Sequence, residues 1–413
     1  MKKYIISGLV CLFSTLCLST QSNGADLIVT AGGAGGAYAT LNAALTAAVA
    51  GDRIIVTPQS GGAAFAEGTI AITKSVQILS ATEGTYFAID GNINVTPASA
   101  GISVTIVGMK LLTGGIQSTI ASPVGARSAI NLLNDSLAAG AVSFNHNNYN
   151  LTCASNYIQS SVTFQFGKVI GNVIRDQVVV NTDASVNNPT DTVQIIGNKI
   201  TYYTSANSGG ITWSSTSQFF SIQNNFVQLT YPINNANYGI WVSTSKASIA
   251  GTNSIINNTV SKQTYVLYYG FPISTNATSN TEVHNNLVIA SLYQYAFSFS
   301  GGNFSAHYNY ANNFNWTGIT NDGTNQTATN VTLNTEGLNT NGTSNIINGG
   351  NPDAAFDDTN LTRNDVGCYG GSFTLNNFFP FSSSDWSGVI LVTTPRRVLV
   401  NGTIDVKAVG FDK

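Results

Sequence analysis

One phrase constrains this chain more than any other: an apolar residue, two of any kind, an asparagine, one of any kind, and a second apolar residue. It runs over Phe144–Tyr149 around Asn147, Val169–Ile174 around Asn172, Ile195–Ile200 around Asn198, Ile222–Val227 around Asn225, Ile255–Val260 around Asn258 and Val283–Val288 around Asn286. A looser copy from His307 to Phe314 centres on Asn309 or Asn313. The first six asparagines stand 25, 26, 27, 33 and 28 residues apart. A near-fixed interval with tolerated insertions belongs to a solenoid, in which each repeat is stabilised by its neighbours.

The phrase also predicts how a coil is built. A turn between two strands needs a residue that tolerates a left-handed backbone, and asparagine does so more readily than other non-glycine residues. Stacked coils then align Asn147, Asn172, Asn198, Asn225, Asn258 and Asn286 into an amide ladder, each carboxamide donating to the next. The flanking residues fall into interior columns: Ile195, Ile222, Ile255 and Val283 in one, Ile200, Val227, Val260 and Val288 in another. A further strand per coil shows period-2 alternation: Ile211 and Trp213, Ile240 and Val242, Leu267 and Tyr269, and Phe297 and Phe299 point inward. Thr212, Trp241, Tyr268 and Ser298 then point outward.

Between Gly24 and Gly115 lies the starting end. Tyr38, Leu41, Ala44, Leu45 and Ala48 share one helical face, Thr40 is the expected N-cap, and Gly51 supplies a left-handed stop. Short β-branched runs follow at Ile54–Val56, Thr69–Ile72, Val76–Leu79, Ile93–Val95 and Val104–Val107. This opening, with Gly51-Asp52-Arg53-Ile54-Ile55-Val56, Pro58, Phe65, Glu67, Lys74-Ser75-Val76 and Ile78, resembles that of secreted right-handed parallel β-helix proteins of the pectin-lyase-like class. Asn348-Gly349-Gly350-Asn351-Pro352-Asp353, Asp357-Asp358 and Arg363-Asn364-Asp365-Val366-Gly367-Cys368-Tyr369-Gly370-Gly371 resemble the closing segment of bacterial members, which often carry Ala where this chain has Cys368. The resemblance implies an all-β, single right-handed parallel β-helix over residues 26–371, with an N-terminal capping helix that protects open sheet edges. Residues 372–413 are expected to form a C-terminal cap. Within them Phe378-Phe379-Pro380-Phe381 and Trp386 cover the last coil, and Arg397–Val400, Asn401-Gly402 and Thr403–Val409 form a hairpin. Thr317–Gly350 reads as a long loop or irregular last coils.

Residues 1–25 read as a secretory signal peptide: Lys2 and Lys3 precede an apolar run from Ile5 to Leu18 and a polar stretch. The run is interrupted by Ser7, Gly8, Ser14 and Thr15 and falls short of the ~20 residues of a membrane span. Leu16 before Cys17 is a poor fit to a lipoprotein cleavage site. Secretion or cell-surface display is expected. Cys153 and Cys368 then remain, about eight coils apart. At ~4.8 Å per coil that is on the order of 40 Å, beyond the ~7 Å reach of a disulfide, so two buried free thiols are expected.

Charged residues make up only 8% of the chain and the formal net charge is −3, which gives no clustered Lys/Arg footprint for nucleic acid or anionic membrane. Many members of the resembled class cleave acidic polysaccharides. A lyase needs carboxylates for Ca²⁺ and an Arg or Lys base, and a hydrolase needs two carboxylates roughly 5 to 10 Å apart. From Ser185 to Gly350 the charged residues do not recur at coil spacing. The catalytic candidates are Arg175, Asp176, Asp183 and Asp191. Asn181-Thr182-Asp183 matches the first motif of polygalacturonase-type hydrolases, but the paired aspartates, Gly-His-Gly and Arg-Ile-Lys that should follow are missing. His146, His284 and His307 are assigned to turn packing.

Asp353, Asp357, Asp358 and Asp365 form the densest acidic group. They are assigned to satisfying loop amides beside Arg363, with Ca²⁺ near Asp357, Asp358 and Asp365 as the alternative; no other cofactor is expected. Trp241 and Tyr268, outward on adjacent coils, are the carbohydrate-binding candidates, against packing under a neighbouring loop. Two functions follow. The first is an exported non-catalytic surface protein that is adhesive, structural or carbohydrate-contacting, with a polysaccharide or cell-surface glycan as partner. The second is a lyase or glycoside hydrolase acting on an acidic polysaccharide.

Overall fold

The computed structural model describes residues 24–184, 190–202, 209–230, 238–249, 251–312, 315–381, 388–393 and 407–411. The expected signal peptide falls almost wholly outside them. Among the described residues no helix is long and apolar enough to cross a membrane.

The chain is a parallel β-helix. Its first face is a sheet of twelve parallel strands in chain order, from Asp26–Val29 to Asn303–His307. The second and third faces make a nineteen-stranded sheet, because Thr259–Ser274 and Leu287–Ser300 run unbroken through both. The two expected columns are in register. Ile195, Ile222, Ile255 and Val283 pair in turn on the first face, and Ile200, Val227, Val260 and Val288 on the second. All eight are at most 1% exposed and belong to one core cluster running from Val29 to Ala311.

At the starting end, Leu41–Ala47 is the expected helix, with Leu41, Ala44 and Leu45 buried. The Thr40 side chain accepts from the Ala43 amide at 3.1 Å. The next coil closes both helix ends: the Glu67 carboxylate accepts from the Leu41 and Asn42 amides, and Lys74 Nζ donates to the Leu45 and Ala48 carbonyls. An anion at the N-terminus and a cation at the C-terminus match the helix dipole.

The ladder exists, with different membership. Asn156, Asn172, Asn198, Asn225, Asn258, Asn286, Asn309 and Asn325 form it, each Oδ1 from Asn172 onward accepting both the backbone N–H and the Nδ2 of the preceding rung at 2.9–3.1 Å. Asn147 is not a rung; its Oδ1 accepts from the Ala184 amide at 3.3 Å. The rungs before Asn172 come from shorter coils, 21 and 16 residues long, that carry Asp135 and Asn156.

The backbone role of the rung is also corrected. The left-handed residue is the one before it: Asn134, Ser155, Gly171, Gly197, Asn224, Asn257, Asn285 and Tyr308 all have φ between 52° and 66°. The turn therefore divides its work between two positions. One reverses the chain, and the next satisfies the inward-facing backbone groups left by the turn. Asp135 heads the ladder because a carboxylate only accepts, and there the acceptors meet the Met109 and Leu133 amides. Full burial raises its pKa well above the usual carboxylate value.

After the last rung the chain runs back along this turn as a strap. Asn285 Oδ1 accepts from the Asn351 amide; Asn257 Nδ2 donates to Asn364 Oδ1 and to the Asp365 and Gly367 carbonyls; Asn224 Nδ2 donates to those of Cys368 and Gly370. At Gly197 and Gly171 the same column faces the Phe378 ring, which stands 2.2 and 2.8 Å from where a Cβ would be. Within this column Asn224, Asn257 and Asn285 bond the strap, and Gly171 and Gly197 leave room for the Phe378 ring. Phe373 and Phe378 pack beside Leu133, Ala154, Ile170 and Ile196, not over the last coil. The expected eight-coil separation of the cysteines is corrected for the same reason: the Cys368 amide bonds Thr259, while Cys153 lies in the interior beside Asn156 and Asn172. Both thiols are free and buried, and burial raises each to about 12. Gly388–Thr393 pairs antiparallel with Lys407–Phe411. The expected turn at Asn401-Gly402 lies outside the described residues.

Candidate functional site

Asp183 and Asp191 are brought together by Arg127. Its Nη1 lies 2.7 Å from Asp191 Oδ2, its Nη2 3.1 Å and Nε 3.2 Å from Asp183 Oδ2, and its guanidinium 3.8 Å from the Phe166 ring centroid. Residues 181–184 reach back to a preceding coil, where Asn181 Nδ2 donates to Asn145 Oδ1 and the Ala184 amide to Asn147 Oδ1. A hydrolase needs its carboxylates to face a gap that admits the scissile bond. Here both converge on one cation, and Asp183 is fully buried. Arg127 is 56 and 64 residues away in sequence, and coil periodicity gives no sign of it because neither separation is one coil length. Arg175 lies elsewhere, 5.9 Å from the Tyr157 ring centroid, and the Arg127 cluster does not include Asp176.

Trp241 sits between buried Ile240 and Val242 on Tyr238–Val242 and is half-buried, in keeping with outward parity. Its ring lies 5.0 Å from Tyr238. Tyr238 in turn lies 5.8 Å from Tyr269, which stacks on Tyr295 at 5.6 Å. Residues 238, 269 and 295 are in register on consecutive coils. Tyr269 is therefore half-buried on the outside, which corrects the inward expectation. At this corner two successive residues, Gly270 and Phe271, face inward, so the alternation slips by one. A Cβ at Gly239 or Gly270 would come within 2.5 to 2.7 Å of Val260 or Val288 side-chain atoms. The side chain of Tyr268 lies outside the described residues.

A groove of about 760 Å³ opens on the outer surface of the second face where the strap leaves it. Further along, the strap and the loop before it cover the corresponding positions: Leu287 and Tyr310 pack with Ile346 and Val366, and Phe226 with Cys368 and Leu375. Tyr157, Val173 and Lys199, in register on three coils, form the floor together with Arg175. Lys199 pairs with Glu336 and lies 4.3 Å from the Phe379 ring centroid. Tyr369 Oη donates to the Glu336 carbonyl at 3.0 Å, and burial raises its pKa.

His284 is 5% exposed, its ring 5.4 Å from both His307 and Phe356. Burial, then the neighbouring His307, lowers its pKa to about 4. His307 Nδ1 lies 2.7 Å from Asp322. The acidic loop engages backbone amides: Asp358 accepts from Asp365, and Asp365 from Asn348. Among the described residues no group of three or more His, Cys, Asp or Glu converges as a metal site. No family model, curated protein or solved structure matches this chain.

Proposed function

We propose that this chain is an exported, non-catalytic β-helix of the pectin-lyase-like class that contacts a polysaccharide or cell-surface glycan through the aromatic strip of its third face. The observation that carries the reading is the strip itself. Trp241, Tyr238, Tyr269 and Tyr295 are half-buried on three consecutive coils, with neighbouring rings 5.0 to 5.8 Å apart. Such rings combine an apolar body with a polar edge, which suits the alternating CH faces and hydroxyls of a sugar. Their fixed coil spacing makes the surface rigid, so little ordering is needed on binding.

The absence of turnover is supported by the engagement of Asp183 and Asp191 on Arg127. Export is supported by Lys2, Lys3 and the apolar run after them. Titration of the purified chain with a panel of neutral glucans, xylans and mannans, followed by tryptophan fluorescence, tests the reading. Saturable binding to one of them, weakened at least about tenfold by Trp241→Ala, is expected. Binding equal in the Trp241→Ala chain would remove the strip from the account.

A further inference from the structure

We infer that the strap is an acid-released clasp: proton uptake by His284 lifts residues 351–378 off the turn while the coils beneath stay folded. His284 and Asn285 together hold one end of the strap. The His284 ring lies 5.4 Å from Phe356, and Asn285 Oδ1 accepts from the Asn351 amide at 2.8 Å. The same ring stacks on His307, in register on the next coil, with centroids 5.4 Å apart and planes 18° from parallel. The His284 imidazole is thus enclosed between a strap phenyl and a second imidazole, and it is 5% exposed. A proton there is shut off from water and opposed by the charge of His307.

The other groups around His284 do not offset this. On Thr252–Ile256 the residue in register is Ile256, which carries no charge. On Asn303–His307 it is His307, whose Nδ1 lies 2.7 Å from Asp322. In the strap Asp353, Asp357 and Asp358 stand close to Phe356 in sequence, and Asp358 accepts from the Asp365 and Gly371 amides. Glu282 is two residues back on the strand of His284 itself. Burial and the His307 charge outweigh these carboxylates and lower His284 from 6.5 to about 4. The histidine therefore holds the strap fully closed above pH 6.5 and progressively less as pH falls through about 4. Asp358 and Asp365, raised by burial, act with the opposite sign, so acid does not loosen a strap that lacks the histidine.

The strap can part from the coils as a unit. Residues 351–378 add no strand to either sheet, and the carboxamides of Asn224, Asn257 and Asn285 hold their backbone. A cavity of about 150 Å³ lies between Phe356 and Phe373 of the strap and Gln223 and Ile256 beneath them, so part of its underside is already unpacked. Release uncovers Ile170 and Ile196 under Phe378, Leu287 under Val366 and Phe226 under Leu375. Acid thereby turns a covered turn into an apolar stripe of the kind that makes contacts.

The two thiols report the two parts separately, because Cys368 lies in the strap and Cys153 inside the coils, both free and buried. Both are labelled in the full chain with dithiodipyridine from pH 7 to about pH 3.5, each rate referred to that of an unstructured cysteine peptide at the same pH. Labelling of Cys368 is expected to rise on the order of a hundredfold while Cys153 stays protected. His284→Phe keeps a ring against Phe356 but takes up no proton, and should abolish the rise. His307→Gln removes the opposing charge and should shrink it. No rise at Cys368, an equal rise in His284→Phe, or Cys153 labelled in step with Cys368 would each overturn the inference. Should His284→Phe fail to fold, an undiminished rise in His307→Gln overturns it instead.

Discussion

Replacing Asn258 by alanine removes a middle rung. Its Oδ1 accepts the backbone N–H and the Nδ2 of Asn225, both at 3.0 Å, and its Nδ2 donates to Ile222 O, Ile256 O and Asn286 Oδ1 at 2.9, 3.2 and 3.0 Å. Not every partner is orphaned. Asn225 Nδ2 keeps Ile195 O, Ile256 O keeps the Asn224 amide, and Asn286 Oδ1 keeps the backbone N–H of residue 258. The Asn225 N–H is left without its acceptor in a fully buried turn, at roughly 1–3 kcal/mol, and the lost donor bonds add about 1 kcal/mol each at most. The expected loss is about 3–5 kcal/mol, read as a shift of the urea midpoint by circular dichroism. Asn147→Ala is the control. Its sequence phrase fits as well as that of Asn258, yet it lies off the ladder, so it should cost only about 0.5 kcal/mol. Asn258→Asp should be acid-rescued. A carboxylate keeps both acceptor bonds but turns negative oxygen toward two carbonyls and an amide oxygen, so its pKa rises on folding and stability returns as pH falls through that raised value. A loss below about 1 kcal/mol in Asn258→Ala, or equal losses in Asn258→Ala and Asn147→Ala, would refute the reasoning.

Three further outcomes are expected. His284 is held neutral in the folded chain, with a pKa lowered from 6.5 to about 4, so its contribution is complete above pH 6.5 and is lost as pH falls through about 4; the drop is roughly 3 kcal/mol. Asp358 and Asp365, raised by burial, act with the opposite sign, and His284→Phe should remove only the histidine limb of the stability–pH profile. Arg127→Met leaves Asp183 and Asp191 buried without their cation and should cost about 3–5 kcal/mol in denaturant unfolding. Gly197→Ala places a methyl group against the Phe378 ring on a left-handed backbone. It should raise hydrogen exchange in 366–379 while the ladder amides stay protected.

Periodic parts of this molecule were legible because the coil repeats its chemistry. The columns through Ile222 and Val227, the rungs from Asn172 to Asn286, and the helix at Leu41 all follow from spacing. Two departures from the expected ladder trace to the phrase itself. It accepted Asn147 on pattern alone, whereas Leu132–Leu137 with Asp135 and Cys153–Ile158 with Asn156 fit it once Asp is admitted as a rung and Cys as an apolar flank. Tyr269 departs from the expected parity because a corner with Gly270 and Phe271 both inward breaks the period-2 alternation, which no propensity announces. The strap and the Arg127 cluster were illegible for another reason. Both depend on chain crossing between coils, with Asn224 meeting Gly370 across 146 residues and Arg127 meeting Asp191 across 64. The alternation of Asn and Gly before the rungs was a sign of the strap, readable only once its path is known.

The most direct test of the central claim is a glycan screen on the purified mature protein that records both binding and product release, on acidic and neutral polysaccharides, with and without Ca²⁺. The account predicts binding without product release under every condition, weakened by Trp241→Ala for neutral glycans. Product release abolished by Asp183→Ala or Arg175→Ala would contradict it and make the chain a polysaccharide-cleaving enzyme.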